Sequence, residues 1–430
     1  MLKGRDFSNL GKDQEPKLAF ETIIECFGEG YLKSQKTHRL PKLWCRADRL
    51  STVELFTLGK CLLKLKKNNP IWLQSAIRSI KKQPAKSSQG FFTEILYFGM
   101  FSLYKSEVIP AKNSNPGYDF STSLPNGSEQ FISIKNIDAS DSQINFQKNS
   151  KNFRRKWIEK LRTKNKKLGV KIVASRTLSD EDFEQLIIIV KSLDLKKTSA
   201  SYVIDSEVSL HIFELPSSNY SLSPKYISDM VQIFCPPPKS EYKRYLKKIR
   251  NAVVNISKHA PCGDDVSRVI FLRMHVNADY NYISEQVKSL VNEQDAEVDC
   301  IVCYQPSYVR DEKNKSILNH CFQIEASADY ALKMAGSDHF RVLPPIGSIS
   351  QSQSPIKIID HQTGQGINWP LSHYFFQQGD FYLESKKHQD GSIYCDDLGS
   401  PAMGIRKHGV FFNSVIGNKT TPKFEELLII

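Results

Sequence analysis

The chain switches between two periodicities. Apolar residues recur at helical spacing in Leu18 to Gly28, Ser51 to Leu65 and Ile71 to Ile80, with Pro70 breaking the run between the last two. Ser51, followed three residues later by Glu54, reads as an N-cap with a capping box. Phe91 to Tyr104 is apolar over helical length and carries one acid, Glu94. From Gln130 to Ile137 the period falls to two. Phe131, Ser133 and Lys135 alternate with Ile132, Ile134 and Asn136, the pattern of a strand. A Leu-Pro-Asn-Gly turn separates that segment from Tyr118-Asp119-Phe120. The stretch therefore predicts a helix, a strand, a tight turn and a second strand.

Further along, residues 150–168 predict an amphipathic helix, with Phe153, Trp157 and Leu161 on one face. Gly169 to Ala174, Tyr202 to Ile204 and Val208 to Leu215 read as strands, and Asp180 to Ser192 as a helix that opens with acids. This region, near 170–235, reads as an insertion. After Pro236-Pro237-Pro238 the order becomes regular. Ser240 to Lys258 and Asp279 to Glu293 predict helices, and Arg268 to His275 and Val298 to Tyr304 predict strands. Strands this uniformly apolar belong in a sheet covered on both faces. Beyond 331, Gly/Pro turns punctuate short aromatic pieces such as Tyr374 to Phe376 and Phe381 to Leu383. Three parts follow: a basic helical region over 1–85, an α/β core over 86–330, and a β-rich region over 331–430.

Charge sharpens this outline. The net formal charge of +13 is unevenly spread. Residues 1–90 hold 18 Lys and Arg against 8 acids, and residues 148–171 hold 11 against one. Residues 331–430 hold 9 of each. Clustered positive charge beside a neutral region points to a polyanionic partner. Arg154, Arg155, Lys156, Lys160, Arg162 and Lys164 are the candidate phosphate contacts; the plainer alternative is a surface helix pinned by Trp157. The basic N-terminal helices admit the same pair of readings, a guide for a nucleic-acid backbone or a packed cap.

Nine cysteines without a pairing framework suit a reducing cytosol. The N-terminal stretch lacks an apolar signal region, and the densest apolar run, LIIIV at 186–190, is too short for a membrane span. A cytoplasmic location without membrane contact is expected. Cys300 and Cys303 tempt a zinc reading, but residues three apart on a strand face opposite ways, so buried thiols are expected. Cys262 to Asp265 reads as a turn. The histidines, among them His320, His361, His373 and His388, form no recognisable catalytic arrangement. Gly364-Gln365-Gly366 lacks a strand-to-helix context.

The chemistry converges on the first stretch. Residues two apart on a strand share a face, so Ser133 and Lys135 point together. A hairpin can bring Asp119 beside them, and Glu94 with Asp119 could hold a hard divalent cation through oxygen. Such a cation acidifies bound water, while Lys135 orients it or offsets developing charge. The plain alternative makes Glu94 a solvated helix residue, Asp119 a turn residue and Lys135 a sheet-edge gatekeeper.

Helical Glu94, then Asp119 on one strand, then Ser133-x-Lys135 on the next, resembles the PD-(D/E)xK nucleases, the restriction-endonuclease-like superfamily. In outline the resemblance spans 85–330. Two positions depart from it. Tyr118 stands where the family often has Pro, and Ser133 where it usually has Asp or Glu, which removes one carboxylate. The resemblance implies a restriction-endonuclease-like core and a Mg²⁺- or Mn²⁺-dependent endonuclease acting on DNA. Glu94 and Asp119 would be the metal ligands, Lys135 would serve the water, and Ser133 would supply at most a hydroxyl. The second reading, opened by Ser133, is a catalytically impaired subunit that binds nucleic acid or joins a complex. The family's habits imply a third, a structural partner in a multi-protein prokaryotic antiviral defence system; as partners, nucleic acid and either a homo-oligomer or another protein are expected.

Overall fold

The structure is a computed structural model of the 430-residue chain. It describes residues 5, 7, 10–12, 14–34, 38–47, 49–104, 107–111, 117–123, 127–166, 168–195, 199–214, 230–275, 278–292, 297–310 and 316–335. Beyond these it describes 348–350, 356–359, 366–368, 373–378, 381–387, 394–395, 401–402 and 412–418.

The first hundred residues are helical: α1 (Glu15–Phe27), α2 (Glu29–Leu32), α3 (Arg39–Trp44), α4 (Arg49–Asn68), α5 (Pro70–Lys82) and α6 (Ala85–Tyr104). Pro70 opens α5, where its missing N–H has no helical partner to lose. The expected cap at Ser51 is corrected. Helix α4 starts earlier, and Ser51 lies inside it, donating its hydroxyl backward to the Arg46 carbonyl at 3.1 Å. Glu54 is fully buried in the same helix. Helices α4 and α6 cross at near-backbone contact: a Cβ built on Gly99 would lie 2.3 Å from Cys61 Cβ.

The main sheet begins with β1 (Val108–Pro110), β2 (Phe120–Ser123) and β3 (Glu129–Ile137). The chain then departs through α7 (Asp141–Lys164), β4 (Leu168–Ala174), α8 (Asp180–Ser192), β5 (Ala200–Val203), β6 (Val208–Glu214) and β7 (Met230–Cys235). It returns by α9 (Lys239–His259) to β8 (Val266–Met274), α10 (Tyr280–Val291), β9 (Cys300–Arg310), β10 (Ser316–Ala326) and α11 (Ala328–Ala335). Short strands follow: β11 (Ser348–Ser350), β12 (Ile356–Ile359), β13 (Gly366–Asn368), β14 (Tyr374–Gln378), β15 (Phe381–Lys387), β16 (Tyr394–Cys395), β17 (Pro401–Ala402) and β18 (Phe412–Asn418).

Seven strands form the main sheet in the order β1-β2-β3-β8-β9-β10-β11. β1, β2 and β3 are an antiparallel meander, β3, β8 and β9 run parallel, and β10 returns antiparallel to β9. One face carries Ile132, Ile134, Phe271 and Val302 into a core shared with the N-terminal helices. The other carries Phe131, Ile270, Leu272 and Ile301 against Tyr245, Ile249, Ile283 and Val287 of α9 and α10. Two-sided cover explains why β8 and the start of β9 are apolar at successive positions.

A second sheet, β14-β7-β4-β6-β5, is built almost wholly from the excursion between β3 and α9. Its own core includes Phe146, Phe153, Trp157, Leu161, Val170, Ile172 and Leu186. Helix α7 is longer than the expected 150–168. It starts at Asp141 because the Ser140 hydroxyl accepts from Gln143 N at 3.0 Å and satisfies a first-turn N–H. Strand β14 pairs with β7, so the second sheet draws its edge from beyond residue 331, while β11 joins the main sheet. The chain is mixed α/β, with two mixed sheets flanked by helices. Among the described residues no helix is long and apolar enough to cross a membrane.

Candidate active site

Asp119 is placed from both sides. Two residues before it, Gly117 has φ +78, and a Cβ there would lie 2.3 Å from the Asn255 carbonyl oxygen of α9. Only glycine lets the loop press this close in a left-handed conformation. Tyr118 then packs edge-on against Phe131 at 4.8 Å, and Phe120 stacks on Phe98 at 5.4 Å. Asp119 itself precedes β2. Its N–H donates to the Ile132 carbonyl at 2.8 Å, and its carboxylate accepts from Ile134 N at 2.5 Å. The side chain thus takes an acceptor's place in the ladder where the β2–β3 pairing ends, which fixes it beside β3.

The remaining residues meet it there. Ser133 is fully buried on β3, close to the Asp119 carboxyl, and its hydroxyl has no hydrogen-bond partner among the described residues. Glu94 projects from the middle of α6, a helix that packs on the same strand. Burial first and the Asp119 charge second raise the Glu94 carboxyl, against the pull of Lys135, to about 8. Burial likewise raises Asp119, against the pull of Lys135, the Ile134 N–H and Ser133. The four residues named from the sequence therefore share one electrostatic neighbourhood, with Glu94 and Asp119 repelling each other beside the Lys135 ammonium.

Two partly buried carboxylates forced together are poor neighbours without a cation. Among the described residues no group of three or more His, Cys, Asp or Glu side chains converges on a metal position. The donor set is Glu94, Asp119 and the Ser133 hydroxyl, all hard oxygens. It fits Mg²⁺, which keeps several waters and is commonly held by one or two carboxylates together with substrate phosphate.

The six basic residues of α7 lie elsewhere. Arg154 is 13 residues into the helix and Lys164 ends it, placing them about 20 to 35 Å from its start beside β3. Lys156 pairs with Glu159 at 2.8 Å, and Lys160 donates to the Lys191 carbonyl at 2.7 Å at the end of α8. Trp157 is fully buried in the second core, so the apolar face of α7 is structural.

Cys300 and Cys303 are both fully buried, Cys300 in the core under the N-terminal helices and Cys303 in the core under α9 and α10. Burial raises both thiols. His361, His388 and Gly364 lie outside the described residues, as do the side chains of His320 and Cys321. Cys262 to Asp265 is an exposed turn before β8.

Sequence reasoning missed the groups around the carboxyl ends of β3 and β8. Lys248 of α9 donates to the Asn136 carbonyl at 2.9 Å, and Thr93 of α6 to Asn136 Oδ1 at 2.9 Å. Arg273, 3 % exposed, reaches Asp138 at 3.6 Å. Arg273 was visible as a basic residue within an apolar strand, a placement that demands a polar destination. Compared with known proteins, the chain matches no family model, no curated protein and no solved structure.

Proposed function

We propose that the chain is a metal-dependent nuclease that hydrolyses phosphodiester bonds in DNA, built on a restriction-endonuclease-like core. The observation that carries this reading is the pairing of Glu94 and Asp119, both raised by burial, beside Lys135. Such a perturbed pair with a charge partner is the electrostatic character of a functional site rather than of a solvated surface. Glu94 and Asp119 would hold Mg²⁺ or Mn²⁺. Bound there, the cation would acidify a water and offset charge on a phosphoryl oxygen. Lys135 shares the α9 and α10 face of the sheet with Phe131 and Leu272, and its positive charge acts on both carboxylates across the strand, where it would orient an attacking water and stabilise the anionic transition state. Ser133 would offer its buried hydroxyl, unpartnered among the described residues, as a further oxygen beside Asp119.

The second reading keeps the fold and drops the chemistry: a nucleic-acid-binding or complex-forming subunit, on its own or within an antiviral defence assembly. Ser133 in place of an acid favours it, because two carboxylates hold a cation less firmly than three. Incubating the full chain with plasmid, single-stranded DNA and RNA, with Mg²⁺, Mn²⁺ or EDTA, separates the two. Cleavage that needs the cation supports the nuclease. Retained binding with no cleavage under any cation assigns the chain to the second reading.

A further inference from the structure

Helix α9 covers the face of the main sheet to which Lys135 belongs, and its buried side is apolar: Tyr245, Ile249, Ala252, Val253 and Ile256. Its outer side is cationic. Lys243, Lys247, Arg250, Val254 and Lys258 recur at steps of four, three, four and four residues, so they form one stripe along the helix, and all five are exposed. Seven Lys and Arg stand in α9 against one acid, Glu241. That acid is buried and pairs with Arg244 at 3.1 Å, so it gives the stripe no counter-charge.

Several lysines on other helices are matched. Lys17 meets Glu21 at 3.9 Å, Lys33 meets Glu29 at 2.6 Å, Lys66 meets Glu25, and on α7 Lys156 meets Glu159 at 2.8 Å. Lys243, Lys247, Arg250 and Lys258 make no ion pair or hydrogen bond among the described residues. The exposed charges of the adjoining α10, Glu285 and Lys288, cancel. Like charges three and four residues apart destabilise a helix, so this stripe costs stability until an anion rests on it. Lys243 to Lys258 spans about 22 Å at helical rise, a length over which one strand of a duplex carries about six phosphates. The stripe holds one apolar side chain, Val254. A membrane-bound helix needs an apolar face to insert, and that of α9 is buried on the sheet. A protein partner needs apolar anchors, whereas contact with phosphates needs only the cations. The neighbouring flank of α9 borders the candidate site. Lys248 donates to the carbonyl of Asn136, next after Lys135, at 2.9 Å, and Asn255 abuts Gly117 in the loop that leads into Asp119.

We propose that the outer stripe of α9 is a docking face for the phosphodiester backbone of duplex DNA. Its cations meet phosphates without reading bases, and they hold the duplex beside the loop that carries Asp119. The choice of DNA rests on the nuclease reading of the neighbouring site; the match of the stripe to an anionic backbone does not.

The test uses the full chain, a variant combining Lys243→Gln, Lys247→Gln and Arg250→Gln, and a control of equal charge change combining Lys17→Gln, Lys33→Gln and Lys66→Gln. Fluorescence anisotropy follows binding of a labelled DNA duplex in EDTA over a range of salt concentrations. The unmodified chain should bind with a steep salt dependence. In the α9 variant the log–log slope should be shallower by about 2 to 3, roughly 0.9 for each lost phosphate contact, and affinity at moderate salt lower by on the order of tenfold or more. The control should keep the slope of the unmodified chain. No duplex binding by the unmodified chain, or equal slopes for it and the α9 variant, overturns the proposal. Equal losses in the α9 variant and the control also overturn it, since the effect would then be one of net charge. The three α9 side chains are exposed and Gln is a good helix former, so the fold should hold. If it does not, Lys247→Gln alone decides in the same titration, with an expected change in slope of about 0.9. Cleavage in Mg²⁺ separates the proposal from the reading beside it. A slope flattened in the α9 variant with no cleavage by the unmodified chain sinks the nuclease and leaves the docking face, while cleavage with an unaltered slope does the reverse.

Discussion

Glu94 sets the residue-scale behaviour. Its carboxyl is raised in the folded chain to about 8 from an ordinary value of 4.5. The unfolded chain therefore releases this proton at lower pH than the folded one. Stability from this group is complete below about pH 4.5 and is lost as pH rises through about 8. Without divalent cation, the melting temperature should fall as pH rises across that window. Mg²⁺ should restore it at the upper end, because the bound cation favours both ionised carboxylates. Glu94→Gln should flatten the pH dependence and remove the Mg²⁺ effect. A melting temperature indifferent to Mg²⁺ at pH 8 in the unmodified chain would disconnect this pair from any metal. Ser133→Asp is the complementary change: an added carboxylate should strengthen Mg²⁺ binding in a calorimetric titration and keep or raise cleavage. Tighter metal binding with no cleavage would mark a vestigial site.

At this scale much was legible in the chain. Asp119, Ser133 and Lys135 lie within 17 positions, and strand alternation plus one turn settles their neighbourhood. Glu94 is close in sequence and sits on an unmistakably apolar helix. The approach of Lys248 and Arg273 to Asn136 and Asp138 was not legible, because it brings α9 and β8 to the end of β3 across more than a hundred positions, and no local period encodes that meeting.

Among the elements, the loop before β2 is the most exacting. Gly117→Ala demands both a left-handed alanine and displacement of α9 from Asn255. A cost of about 2 kcal/mol or more is expected in chemical denaturation. Because Asp119 is two residues on, activity should fall further than stability explains. A stability loss under 0.5 kcal/mol would show that the loop relaxes freely. Helix α7 was half-read from sequence. Its first turns are polar and leave a weak apolar period, although Ser140 with Gln143 three residues on is a cap signal. Its basic residues belong to a helix packed in the second core and not to α6, β2 or β3, so they are expected to serve affinity and not chemistry. Neutralising Arg154, Arg155 and Lys156 together should weaken duplex binding and flatten its salt dependence by roughly 0.9 per lost phosphate contact, with cleavage at saturation unchanged. An unchanged slope would return α7 to a purely structural role.

Among the described residues the main sheet is covered by helices on both faces, and a second α/β unit is inserted between β3 and α9. The α-β-α-β order after Pro238 made the first part readable. The second sheet was not, since it takes its edge strand β14 from over a hundred residues beyond β7. Placed so, the candidate site lies where the N-terminal helices, the β2–β3 hairpin and the start of the inserted unit adjoin. The central claim is that Lys135 works with Glu94 and Asp119 on a phosphodiester. The most direct measurement is the single-turnover cleavage rate of a labelled DNA duplex in saturating Mg²⁺, for the unmodified chain and Lys135→Ala. The predicted result is a rate lower by a hundred- to a thousandfold, roughly the loss for one preorganised charge, with folding and duplex affinity nearly intact. Equal rates in the two proteins would contradict the assignment.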